Sequence, residues 1–112
     1  MNYTHIQKWE LENRKMNFED FRKDIESRLI SKIEFELQEF NFLPFSFGSG
    51  LLAYRINGQN HKFVFDGREN ELIWLKSKTH QKYTESDFTE FEKFDGLKIS
   101  DEVLWKGLKN SA

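Results

Sequence analysis

Two short turn signals constrain this chain more than anything else in it. Asn57-Gly58 stands between "LLAYRI" and "HKFVF", and Asp66-Gly67 between "HKFVF" and "ELIWLKSK". Pairs of this type suit the positive-φ positions of tight hairpin turns, whose twist matches the flanking strands. Three consecutive strands are therefore expected to lie side by side and antiparallel in one sheet. "GSG" at 48–50 turns the chain into the first of them. Upstream, "FLPFSF" alternates, and Pro44 places it at an edge or a strand start. Downstream, "QKYT" and "EFEKF" read as shorter strands, the last ended by Asp95-Gly96.

Helical signals bracket this run. Asn17 reads as an N-cap, with Glu19 and Asp20 in the first turn, where the helix dipole favours acids. Phe18, Phe21, Ile25, Leu29, Ile33, Leu37 and Phe40 then form a stripe at steps of three and four. "KIEFELQ" also alternates with period two, which is open to a strand reading; the continuous stripe favours a helix over 17–40. Ser100 caps a second helix, with Asp101 and Glu102 in its first turn and Val103, Leu104, Trp105 and Leu108 along one side. Residues 1–16 read as a short helix capped by Thr4, or as an arm docking through Trp9. A helix, four to six hairpin-linked strands and a helix predict a single α+β domain over 17–110. It is a two-layer sandwich with both helices on one face of an antiparallel sheet.

Composition removes whole classes of chemistry. The chain has no cysteine, which excludes disulfides, zinc-thiolate sites and a cysteine nucleophile. Its 19 acids against 17 lysines and arginines give a net charge of -2, the wrong sign for nucleic-acid binding. No apolar run approaches the roughly 20 residues a membrane helix needs. The polar, acid-containing start "MNYTHIQKWELENRK" does not resemble a secretory or transit signal. A cytoplasmic monomer is the expectation. His5, His61 and His80 form no metal-ligating spacing. No serine sits in a nucleophile elbow, and "GSG" does not lead into a helix, so a phosphate loop is not expected. The chain is read as a non-enzyme without a cofactor.

One stretch resists a structural reading. In "ELIWLKSK", Leu72, Ile73, Trp74 and Leu75 are apolar in succession. Alternation separates Ile73 and Leu75 from Leu72 and Trp74. With two helices covering one face, Ile73 and Leu75 are expected to meet them, and Trp74 to lie on the open face. There it either anchors a partner, with Arg55, Lys76 and Lys78 around it, or packs on cross-strand neighbours and only covers the sheet.

The element order, with "GSGLLAYRING", "HKFVFDGRENELIWLKSK" and "VLWKGL", resembles the frataxin family over 18–108. Ile73, Trp74 and Leu75 match that family's "IWL" triplet. The resemblance implies a frataxin-like fold, an exposed Trp74 that meets partners of iron–sulfur cluster assembly, and Fe²⁺ held by acids of the first helix. The matching acids are Glu19, Asp20, Asp24 and Glu26. Arg22, Lys23, Arg28 and Lys32 lie among these acids. Opposite charges at helical spacing read more simply as a solvated, ion-paired face. Two functions are therefore expected. The first is a non-catalytic protein-binding module of inhibitor, immunity or adaptor type, acting through the open sheet face. The alternative is a frataxin-like iron-binding protein that docks on the cysteine desulfurase and scaffold.

Overall fold

The computed structural model describes residues 8–109. Helix α1 (Lys8–Leu29) leads into five strands: β1 (Phe35–Leu43), β2 (Ser49–Ile56), β3 (Gln59–Asp66), β4 (Glu71–Thr79) and β5 (Thr89–Asp95). Helix α2 (Asp101–Lys109) closes the domain. The sheet is an antiparallel meander in the order β1-β2-β3-β4-β5. Both helices pack on one face, giving the α+β sandwich expected. No helix of the described residues is long and apolar enough to cross a membrane.

The Asn57-Gly58 turn forms as expected, with φ of 52° and 76°. Ser100 caps α2: its Oγ accepts from the Val103 N–H at 3.3 Å and its carbonyl accepts from Leu104 N–H at 2.9 Å. Helix α1 differs from the sequence reading at both ends. Asn17 does not begin α1, because residues 8–16 are themselves good helix formers and supply the turn that satisfies its backbone. The expected N-terminal arm is thus α1 from residue 8 onward, with Trp9 61% exposed; residues 1–7 lie outside the described residues. The helix also stops at Leu29 rather than Phe40. Ser31 turns to φ 66°, and the period-two alternation of the next segment prevails as edge strand β1.

That strand completes the core. Phe40 stacks on Phe18 of α1 at 5.5 Å, and Phe35 meets Tyr54 edge-on at 5.6 Å. A one-residue slip at Gln38 keeps Phe40 and Phe42 on the helix side after Leu37. "FLPFSF" is split: β1 ends at Leu43 and residues 44–48 form the turn. "QKYT" is not a strand but enters a short helical turn at Tyr83–Glu85.

The core lies between the helices and one sheet face. Leu52, Phe63 and Trp74 stand in register across β2, β3 and β4. Phe18, Phe21, Ile25 and Leu29 cover them from α1, and Leu104 and Leu108 from α2. Two glycines make room for aromatic rings of the core. A Cβ at Gly50 would overlap the Phe18 ring, and one at Gly107 would overlap the Trp74 ring.

Candidate protein-binding face

Trp74 is not on the open face. It is fully buried, at 0% exposure, and so is its neighbour in alternation, Leu72. The period-two separation holds, but with the opposite sign: Ile73 and Leu75 point away from the helices. The reason lies in the partners of Trp74. It sits opposite Phe63, with ring centres 5.1 Å apart, and meets Phe91 edge-on at 5.0 Å. Its indole N–H donates to Nδ1 of buried His61 at 3.1 Å, so its one polar atom is satisfied without water. Gly107 leaves room for the ring beneath α2.

The other residues expected around Trp74 also separate. Lys76 shares its parity and turns to the helix side. Its ammonium donates to the Gly107 carbonyl at 2.7 Å, near the negative end of α2, and lies over the Phe91 ring at 4.7 Å. Burial lowers its pKa below the ordinary lysine value. Arg55 is on the open face, but its guanidinium donates to the Gln81 carbonyl at 3.1 Å. Lys78 is exposed near the end of β4. The four therefore form no common site around an exposed tryptophan.

Facing Lys76, His61 is buried, and its Nε2 has no partner among the described residues. Because Nδ1 accepts from Trp74, the neutral ring carries its proton on Nε2. Burial first, and the charge of Lys76 second, lower its pKa to about 3. His61 is thus a neutral part of the core rather than a ligand. His80 is exposed at the end of β4, and His5 lies outside the described residues.

The open face has a roof over half its length, which the sequence reading missed. The β4–β5 connection, residues 80–88, crosses the sheet as a strap. Buried Asn60 holds it from below, its Nδ2 donating to the Gln81 carbonyl and to Ser86 Oγ, both at 2.8 Å. The Lys62 ammonium sits 4.3 Å from the Phe88 ring centre and 5.4 Å from that of Tyr83. Tyr83 reaches the far edge, where its hydroxyl donates to Glu39 of β1 at 2.5 Å. Burial and that carboxylate push the phenol pKa up. Ala53 is fully buried underneath. The signal was the run of polar and aromatic residues from Gln81 to Phe88, too long for a hairpin turn.

Past the strap the face is open. Leu51 stands opposite Val64, and Val64 opposite Ile73. With Leu75, which stands opposite strap-held Lys62, these make a part-buried apolar strip across three central strands, bounded by Asn41 on β1 and Lys93 on β5.

The acids of α1 do not converge. Glu26 accepts from Arg22 Nε at 2.8 Å and from Tyr54 hydroxyl at 2.7 Å; burial first and the Glu26 carboxylate second raise the Tyr54 pKa, against a smaller opposing effect of Arg22. Asp24 is paired with Arg28, which also donates to the Ile99 carbonyl at 2.7 Å and pairs with Asp101 at 3.2 Å. These carboxylates tie α1 to β2 and, through Arg28, to the start of α2. Glu19 and Glu26 line one flank of the helix with Arg22 and Lys23, whereas Asp20 and Asp24 border a different cleft. No three carboxylates or histidines of the described residues are grouped to hold a metal. The donor set does not fit the iron site implied by the resemblance.

That second cleft, about 530 Å³, lies between α1 and the turns at Phe47 and Gly67. Phe21, Phe65 and Leu97 form its floor, with Arg14 and Asp20 at the rim. No protein-family model, curated protein or solved structure matches the chain.

Proposed function

We propose that this chain is a non-catalytic protein-binding module, of inhibitor, immunity or adaptor type, that receives a partner protein on the open part of its sheet. The observation that carries this is the strip of Leu51, Val64, Ile73 and Leu75. These side chains project from the three central strands on the face away from the helices, and each stays partly accessible there. An apolar patch on a rigid sheet, rimmed by polar groups, has the make-up of an interface core. Ile73 takes the anchoring place first expected of Trp74.

The test is capture of a partner from the native host by wild-type chain and by Ile73→Glu, both first shown folded by circular dichroism. Loss of the captured protein with Ile73→Glu, and its retention with Lys106→Glu on exposed α2, supports the proposal. Equal capture by both variants overturns it.

A frataxin-like role ranks second. The order of helix, antiparallel meander and helix favours it. The divergent, internally paired acids of α1 weigh against iron binding.

A further inference from the structure

We infer that the partner segment received by this face is basic as well as apolar, a lysine- or arginine-bearing stretch of protein whose cations lie beside its apolar anchors. This rests on the protein-binding proposal and adds the chemistry of the occupant. On the open face, one step along the strands from Val64 and Ile73, Asp66 stands opposite Glu71, and Glu71 opposite Asp95. Three carboxylates thus sit in register, spanning about 10 Å and lying about 7 Å from the apolar strip, on ordinary strand spacings. Like charges directly opposite one another destabilise a sheet. The free protein does little to offset this.

None of the three is ion-paired among the described residues. Asp66 accepts only the backbone N–H groups of Arg68 and Glu69, at 2.9 and 3.3 Å. The face's own cations are spent elsewhere. Lys62 is held beneath two strap rings and Arg55 bonds the strap backbone. Lys93 is shared with Glu90 at 3.9 Å, and against the three carboxylates and Glu90 it leaves the net charge there negative. The charge left free beside the apolar strip is therefore negative, and a cationic segment is its complement. The carboxylates are spread along a row and not grouped around a point, so a bound metal ion is not the expected occupant.

Two 14-residue peptides test this, one alternating lysine with leucine and one alternating glutamate with leucine, each titrated into the ¹⁵N-labelled full chain. The lysine peptide is expected to shift the amide signals of Leu51, Val64, Glu71 and Ile73. Its affinity should fall about tenfold in the triple variant Asp66→Asn, Glu71→Gln, Asp95→Asn, whose isosteric changes leave the fold intact. That variant should also melt at a higher temperature, because the opposed charges are gone. If both peptides bind the strip equally, the basic character is wrong while the binding face stands. If neither shifts these signals, or the shifts fall on the helices, both the inference and the face fail.

Discussion

Replacing Trp74 by alanine should cost far more stability than replacing its neighbour Ile73. Trp74 is fully buried against Phe63, Phe91, His61 and Gly107. Emptying such a site costs about 3–5 kcal/mol. It also removes the donor to His61 Nδ1, leaving a second imidazole nitrogen unpaired, for about 1 kcal/mol or more. The sum, roughly 4–6 kcal/mol, is a large part of the 5–15 kcal/mol typical of a domain's total stability. Ile73 is part-buried on the open face, outside the core, and its truncation should cost about 1 kcal/mol. With a urea slope of about 1–2 kcal/mol per molar, Trp74→Ala should move the midpoint down by roughly 2–6 M, or prevent folding. Ile73→Ala should move it by less than about 1 M. Urea melts followed by far-ultraviolet circular dichroism read both. Equal shifts would mean that Trp74 is not a core residue and that the two faces have been assigned wrongly.

Three further outcomes follow from the same contacts. Because burial holds His61 near pKa 3 while the unfolded chain titrates near 6.5, the unfolded state binds the extra proton between those values. Stability from His61 is therefore complete above pH 6.5 and lost as pH falls toward 3, by about 2–3 kcal/mol at pH 4.5. Urea melts at pH 7 and 4.5 should show a smaller difference for His61→Gln than for wild type; an unchanged difference would refute the buried neutral imidazole. Gly107→Ala should destabilise by about 1–3 kcal/mol, since the new methyl enters the Trp74 ring; a neutral thermal melt would contradict that packing. Fe²⁺ at low micromolar concentration should leave the amide signals of Glu19, Asp20, Asp24 and Glu26 unmoved, whereas saturable shifts abolished by replacing those acids would promote the frataxin-like alternative.

The turn chemistry made the meander legible, because Asn57-Gly58 permits little but a tight hairpin. The sheet's facing was harder. Alternation divides Ile73 and Leu75 from Trp74 but does not say which set is inside. The deciding fact is the register across the Asp66–Glu71 turn, which puts Trp74 opposite Phe63, and that depends on a turn length that residue identity leaves open. Helix α1 was overextended because Ile33, Leu37 and Phe40 satisfy both helical and strand periods. Pairing with β2 decided between them, and that is a long-range contact. The strap escaped notice for a related reason. Lys62, Asn60, Tyr83 and Phe88 read as separate surface residues until the fold stacks them. The α1 acids were correctly seen among cations, though the pairing of Glu26 with Tyr54 across the core needed the structure.

The central claim, that partners meet the apolar strip of the sheet, is tested most directly by methyl NMR of the chain in complex with the protein it captures. Leu51, Val64, Ile73 and Leu75 methyl signals should shift or broaden on binding, while those of Ile25, Leu29 and Leu104 beneath the helices stay in place. Shifts confined to Ile30 and Val103 on the helical side, with the strip unchanged, would contradict it.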